Sequence, residues 1–181
     1  PIANADTYSL NEDSVLEVVI IDGILNNDTD IENDNITAVL SKDVTNGTLD
    51  LNGDGSFTYT PNQNYFGDDS FTYSARDDYS ESEEVEVSIS INPVNDAPVS
   101  EDVDTITTTG STLTITLPSE DVDSDILTFS LIQVPLNGEA SLDNNLLTYT
   151  PNSGYYGLDS IIFIVSDGAE SSSLHTVRIK V

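Results

Sequence analysis

The stretch TYTPNQNYFGDDS at residues 58–70 recurs as TYTPNSGYYGLDS at residues 148–160, and it decides the fold. Nine of the thirteen positions are identical, and each pair is 90 residues apart. That spacing is about the length of one small β-sandwich domain. One folding unit therefore occurs twice along the chain, and function is expected in what tandem units do.

The segments around the repeated block alternate polar with apolar residues. The alternation is clearest at residues 85–91, 112–117 and 175–181, where one face of a strand would be buried and the other wet. Turn-forming pairs such as Asn46-Gly47 and Asn137-Gly138 separate these segments. The pattern predicts an all-β chain of two tandem Greek-key β-sandwich domains, residues 1–94 and 95–181. The start at Pro1 indicates a segment that begins at a domain boundary.

Charge limits the partners of this chain. Among 181 residues, 33 are acidic and 4 are basic, which gives a net charge of −29. Such a chain repels phosphate backbones and anionic lipids, so nucleic acid is excluded as a partner. No apolar run approaches the roughly 20 residues of a membrane helix, so direct membrane insertion is not expected. Two interpretations of the charge remain open, a salt-adapted solvated surface or neutralisation by Ca²⁺.

Acidic residues cluster in one loop of each repeat, at residues 28–34 and 119–125. The pair Asp28 and Asp30 aligns by its Asp-x-Asp spacing with Asp121 and Asp123. In extended chain, residues i and i+2 point the same way, so we expect two carboxylates to converge in each loop. Converging carboxylates repel unless a cation lies between them. A solvated acidic loop is the simpler alternative.

Nothing in the sequence resembles an active site, and we expect no enzymatic activity. Cysteine is absent, and the only histidine is His175 in a predicted strand. The carboxylates lie in polar loops rather than in the apolar surroundings that raise the pKa of a catalytic acid.

Several motifs resemble those of tandem bacterial cadherin-like, immunoglobulin-like adhesin repeats. They are Leu25-Asn-Asn-Asp-Thr-Asp30, Asp54-Gly-Ser-Phe-Thr-Tyr-Thr-Pro-Asn62, Asp69-Ser-Phe-Thr-Tyr73 and Asn95-Asp-Ala-Pro98. The resemblance covers essentially the whole chain. It implies an extracellular location on a bacterial cell surface, with Ca²⁺ as the cofactor.

The resemblance also implies a set of calcium ligands. In cadherins, calcium lies between successive domains and is held by a linker motif, a D-x-D motif, an aspartate after the sixth strand and an early glutamate. The matching residues for the junction are Asn95, Asp96, Asp121, Asp123, Asp125, Asp167 and Glu12. The equivalent acids of the first repeat, expected to face the upstream linker, are Asp28, Asp30, Asp34 and Asp77.

The preferred functional hypothesis is a calcium-stiffened spacer in a bacterial surface adhesin, whose partners are the neighbouring repeats of the same chain. Carbohydrate binding is the first alternative, with Tyr65-Phe66 and Tyr155-Tyr156 as a small aromatic platform, although their repeated position favours core or corner packing. Homotypic adhesion to a copy of the same chain is the second alternative.

Overall fold

Two units of strands follow one another along the chain, residues 1–94 and residues 95–181, here named unit 1 and unit 2. The structure is a computed structural model that describes residues 1–123 and 125–181. The strands of unit 1 are β1 (Asp6–Asn11), β2 (Leu16–Val18), β3 (Thr37–Lys42), β4 (Gly47–Leu51), β5 (Phe57–Pro61), β6 (Gly67–Arg76) and β7 (Val85–Asn92). Those of unit 2 are β8 (Val103–Ile106), β9 (Leu113–Thr116), β10 (Thr128–Gln133), β11 (Gly138–Asp143), β12 (Leu146–Pro151), β13 (Leu158–Ser166) and β14 (His175–Lys180).

Both units have the same sheet topology. Unit 1 contains a four-stranded sheet in the order β1-β7-β6-β3 and a three-stranded sheet in the order β2-β5-β4. Unit 2 repeats this arrangement as β8-β14-β13-β10 and β9-β12-β11. In each unit the first strand pairs in parallel with the last, and the remaining pairs are antiparallel. The predicted fold class, two tandem Greek-key β-sandwiches, is confirmed.

Each unit has its own hydrophobic core between its two sheets. Period-two alternation directs every second residue inward, so that Phe71, Tyr73 and Ile89 of unit 1 are fully buried. In unit 2, Ile161, Phe163 and Ile179 occupy the same strand positions, 90 residues later. The alternating pattern in the sequence therefore identifies the core faces correctly.

The repeated aspartate of the opening block clamps a loop in each unit. The carboxylate of Asp69 is buried and accepts hydrogen bonds from the backbone N–H groups of Thr45, Asn46 and Ser70 and from the Tyr59 hydroxyl. Burial alone would raise the pKa of Asp69, but these donors outweigh it and hold the pKa below its usual value. Asp159 of unit 2 makes the equivalent contacts. The repeated identity therefore has a structural cause.

The repeated Asn-Gly pairs are required by close packing of a tyrosine ring. A Cβ atom on Gly47 would lie 2.5 Å from the Tyr59 ring and 2.6 Å from the Thr60 carbonyl oxygen. Gly138 meets Tyr149 and Thr150 at almost the same distances. Only glycine leaves room for the ring, because real Cβ atoms do not approach this closely.

Unit 1 carries an insertion that unit 2 lacks. Its β2 strand is followed by a 3-10 turn, Ile20–Asp22, before Ile24 enters the core. Ile24 and Leu117 are equivalent, because both are fully buried and donate a backbone hydrogen bond to the tip of the following hairpin. Only Thr116 separates β9 residue Ile115 from Leu117, whereas five residues separate Val18 from Ile24. The fold does not need the extra residues.

Candidate metal centre

Three carboxylates meet at one end of unit 1. Antiparallel pairing sets Thr37, the first residue of β3, opposite Arg76, the last residue of β6, so the loops outside these positions lie side by side. As a result, carboxylate oxygens of Asp30, Asp34 and Asp77 all lie within 4.8 Å of one another. The cluster groups three of the four acids predicted for this end of the chain.

Backbone donors hold two of these carboxylates in place and keep them ionised. One Asp30 oxygen accepts from the N–H of Asp34 at 2.9 Å and of Glu32 at 3.0 Å, and the first of these bonds is the main cause of its lowered pKa. Asp77 accepts from the N–H groups of Tyr79 and Ser80, which likewise lower its pKa. Each keeps its second oxygen clear of these backbone bonds, as a cation site requires.

The Asp30 side chain is only 2% exposed, which is unusual for an aspartate in a loop. Its second oxygen lies 3.1 Å from the terminal ammonium of Pro1.

Asp28 is not part of the cluster, and its two oxygens contact other groups. They accept from the backbone N–H of Asn4 at 2.8 Å and from the Tyr73 hydroxyl at 2.9 Å. Burial raises the pKa of Asp28. The structure therefore leaves Asp28 outside the group formed by Asp30, Asp34 and Asp77, and Asp28 instead accepts from Tyr73.

The acidic loop of unit 2 follows a different register from the one predicted. Val99 pairs with Glu120 as Ile2 pairs with Thr29, and Asp125 donates its N–H to Asp121 as Asp34 does to Asp30. Asp121 and Asp125 therefore correspond to Asp30 and Asp34, and Asp123 corresponds to Glu32. The alignment of Asp28 and Asp30 with Asp121 and Asp123 was wrong by two positions, since the connection from β2 is longer in unit 1.

In unit 2, linker residues contact two of the predicted ligands. The amide of Asn95 donates to one oxygen of Asp167 at 2.9 Å, and the backbone N–H of Asp96 donates to Asp123 at 2.8 Å. Backbone donation from Glu170 is the main cause of the lowered pKa of Asp167, and the Asn95 amide adds to it. These bonds fasten the start of unit 2 to its acidic loops.

Two of the predicted ligands, Glu12 and Asp121, each have a buried carboxylate oxygen with unused capacity. Glu12 is 2% exposed, with one oxygen accepting from the N–H of Val94 at 2.7 Å and the other buried without a hydrogen-bond partner. Among the described residues, one buried oxygen of Asp121 likewise has no hydrogen-bond partner. An unsatisfied buried carboxylate oxygen is costly unless protonated or bound to a cation, so both residues suit a metal ligand.

Sequence reasoning missed Tyr79, whose ring is 88% exposed on the loop that carries Asp77. Its backbone N–H positions the carboxylate of Asp77. Nothing in the sequence marked it, because it lies outside the repeated block and has no counterpart in unit 2, where Ala169 takes the same place.

The family of the chain follows from comparison with known domain families. Residues 1–93 match the family described as bacterial cadherin-like domain, and residues 95–180 match the family described as bacterial Ig domain. The chain belongs to the bacterial cadherin-like family. Its second half adds a bacterial Ig domain in tandem, which confirms the predicted resemblance. No curated protein is significantly similar in sequence.

Solved structures of cadherins share the fold of this cadherin-like chain. Human CDH23 EC21-23 is 16% identical with a TM-score of 0.61, and the match covers 97% of this chain and 67% of that one. Human mucin-like protocadherin EC1-2 is 18% identical with a TM-score of 0.56, with 98% and 96% covered. An endo-fucoidan hydrolase of glycoside hydrolase family 107 is 21% identical with a TM-score of 0.38, and the chain spans only 27% of its length.

Cadherin-like and immunoglobulin-like repeats of this kind are typically extracellular and adhesin-type. Among the described residues, no helix is long and apolar enough to span a membrane.

Proposed function

We propose that this cadherin-like tandem is a calcium-binding spacer segment of a bacterial surface adhesin. The convergence of Asp30, Asp34 and Asp77, with Asp30 almost fully buried and ionised, carries the proposal. Carboxylate oxygens are the ligands Ca²⁺ prefers, and its coordination tolerates an irregular loop. Bound calcium would supply the positive charge that lets three carboxylates share one point.

In unit 2, the corresponding ligands would be Asp121, Asp125 and Asp167, supported by the unused oxygen of Asp121. Asn95 would be a further ligand if its side-chain amide turned so that the carbonyl oxygen, rather than the NH₂ group, faced the ion. Glu12 is suited to the same role at the end of unit 1, through its unused oxygen. Asp123 would act by holding the Asp96 backbone rather than by contacting the ion.

Calcium affinity in the range of extracellular modules would suffice for a mechanical role. Such modules bind with dissociation constants of about 10⁻⁴ to 10⁻³ M. Free calcium tenfold above the dissociation constant would stabilise each site by about 1.4 kcal/mol. That amount is modest for a whole domain but large for an acidic loop, so calcium would order the loops and stiffen the segment.

Isothermal titration with Ca²⁺ tests the proposal. Asp30→Asn and Asp77→Asn each remove one charged ligand and should raise the calcium dissociation constant about tenfold or more. A tenfold change corresponds to a loss of about 1.4 kcal/mol of binding free energy. Asp50→Asn, which removes an exposed carboxylate of the same unit outside the cluster, is the matched control and should change nothing.

The spacer role requires a mechanical readout. Small-angle scattering should give a longer and more uniform particle in calcium than in EDTA. Identical melting midpoints and identical maximum dimensions in the two conditions would rule the role out, even if calcium binds.

Calcium-dependent carbohydrate binding is the second candidate function. It is favoured by the exposed ring of Tyr79, which lies two residues from Asp77, and by the exposed rings of Phe66 and Tyr156. A glycan array probed in calcium and in EDTA tests it, with Tyr79→Ala as the variant that should lose binding. If Tyr79→Ala binds glycans as well as the parent does, the sugar does not contact Tyr79. If the parent binds no glycan on the array, carbohydrate binding is ruled out.

A further inference from the structure

The two units differ sharply on the outer face of their four-stranded sheets. In unit 2, strand register places Leu158, Lys180 and Ile106 in one row across β13, β14 and β8. The same row in unit 1 is made by residues of opposite character, namely Asp68, Ser90 and Ser9. The fold does not require these side chains, because the same exposed row is polar in unit 1 and mostly aliphatic in unit 2.

This row forms part of a groove of about 690 Å³, here named the basic groove and defined by Ile106, Leu136, Leu158, Arg178 and Lys180. Its three aliphatic side chains are 72%, 85% and 76% exposed, in that order. Arg178 and Lys180 are two of the four basic residues in the chain. Arg178 is ion-paired with Asp102 and with Asp104, which also lines the groove, whereas among the described residues Lys180 makes no ion pair.

Unit 1 exposes the complementary combination. The insertion after β2 presents Val19, Ile20 and Ile21 to solvent, beside the outward-facing Glu17. These four residues are here named the aliphatic patch. Ile24 fills the core position of this segment, whereas the three exposed aliphatic side chains lie outside the core.

The aliphatic patch is held in a defined position. The Tyr8 hydroxyl donates to the carbonyl oxygen of Asp22 at 2.8 Å, and the N–H of Gly23 closes the turn onto Ile20. The N–H of Ile24 then bonds to the carbonyl oxygen of Gly55. Exposed aliphatic side chains on an anchored turn are a mark of an interaction surface.

We propose that the aliphatic patch of one chain docks into the basic groove of a second copy of this chain. Both surfaces offer aliphatic side chains to bury, and Glu17 would meet the unpaired Lys180. In a chain with a net charge of −29, random encounters between copies are repulsive. The pairing of Glu17 with Lys180 would remove that repulsion locally and select the orientation.

A second copy fits the basic groove better than a polysaccharide does. The groove is lined by leucine and isoleucine, whereas sugars stack on aromatic rings. The contact is also heterologous, because patch and groove are different surfaces on the same chain. Each chain therefore keeps one free half after docking, and association continues into larger assemblies or closes as a ring.

Complementary variants test this contact by sedimentation. The groove variant carries Ile106→Ser, Leu158→Asp and Lys180→Ser, which places in unit 2 the residues that unit 1 has at the same positions. The patch variant carries Ile20→Ser with Ile21→Ser. Leu174→Ser removes an exposed leucine outside both surfaces and serves as control. All samples contain EDTA, so that calcium cannot bridge carboxylates of two chains, and circular dichroism checks that each variant is folded.

The parent chain and Leu174→Ser should increase in average mass with concentration, while the patch and groove variants stay monomeric. Mixing the two variants should restore association but stop at a one-to-one dimer, because each carries one intact half. A parent that remains monomeric up to millimolar concentration, or a mixture that stays monomeric, overturns the proposal. Binding of alginate or heparin to a monomeric parent, lost in the groove variant, would overturn it in favour of an anionic glycan.

Discussion

Replacing Asp69 by asparagine tests whether the repeated aspartate holds the sandwich together. The carboxylate accepts four hydrogen bonds of 2.8 to 3.0 Å, two on each oxygen. Asparagine keeps the shape but turns one acceptor oxygen into a donor that faces donors. It also removes the charge from the remaining bonds.

We expect Asp69→Asn to lower the free energy of unfolding by about 3 kcal/mol, since hydrogen bonds to charged groups contribute about 1.5 to 3 kcal/mol each. Asp68→Asn is the matched control. The Asp68 side chain is exposed and, among the described residues, accepts only from the Ser90 hydroxyl, so its replacement should cost less than about 0.5 kcal/mol. Urea unfolding followed by circular dichroism measures both, as the chain has no tryptophan.

The pH dependence of this cost follows from the lowered pKa of Asp69. A carboxylate with a lowered pKa in the folded state stabilises above its unfolded pKa of about 3.9 and loses that contribution as pH falls through the folded pKa. The difference between parent and Asp69→Asn should therefore shrink below about pH 4. A cost equal to that of Asp68→Asn, or one unchanged in acid, would refute the reasoning.

Three further changes probe the same framework, each by thermal or urea unfolding. Gly47→Ala should destabilise by about 2 kcal/mol or more, because the added Cβ collides with the Tyr59 ring, whereas Gly53→Ala meets nothing and should be nearly neutral. Tyr73→Phe should cost about 1 to 2 kcal/mol, because the buried hydroxyl donates within unit 1, and no cost would mean that water replaces it. Burial and the charge of Asp28 raise the pKa of Asp6 to about 6, so the parent loses stability as pH rises from about 4 to 6. Asp6→Asn should therefore be more stable than the parent by about 1 kcal/mol above pH 6, after discounting for solvent screening, and equal to it below about pH 4.

The sequence contained enough to predict the strands and the fold class. Alternation identified the buried faces, and the Asn-Gly pairs marked turns correctly, although their cause is packing against Tyr59 rather than backbone conformation. The bracing role of Tyr73 was also predictable, because a tyrosine near the start of the sixth strand of an immunoglobulin-type sandwich typically bonds through its hydroxyl to an upstream backbone group. Its hydroxyl reaches the carbonyl oxygen of Ile24 at 2.8 Å, and unit 2 has a buried Phe163 at the equivalent position.

The details of the acidic loops could not be predicted, because they depend on pairing outside the loop. Matching the Asp-x-Asp motifs aligned Asp28 with Asp121. The bridge between Thr29 and Ile2 instead sets the register of the loop, and no pattern in the sequence marks that bridge. Of the aromatic pair Tyr65-Phe66, only the first residue has the corner packing that the sequence predicted. Tyr65 packs at the corner with its hydroxyl on the carbonyl oxygen of Asp68, whereas the next residue, Phe66, points to solvent.

Positions that are identical in the two units and positions that differ carry different information. Asp69 and Asp159, like Gly47 and Gly138, are identical because each makes the same contacts within its own sandwich. Their repetition is explained entirely by folding. A ligand or partner need not be shared by both units, so its signature lies where equivalent positions have diverged.

The basic groove and the aliphatic patch both lie at positions where the two units have diverged. The row of Leu158 and Lys180 replaces an aspartate and a serine of unit 1, although strand pairing is the same. The insertion with Ile20 and Ile21 has no counterpart in unit 2. Each change places aliphatic side chains in water, which the fold alone would not favour. Two such changes of opposite flanking charge, one in each unit, are expected if copies of the chain meet through them.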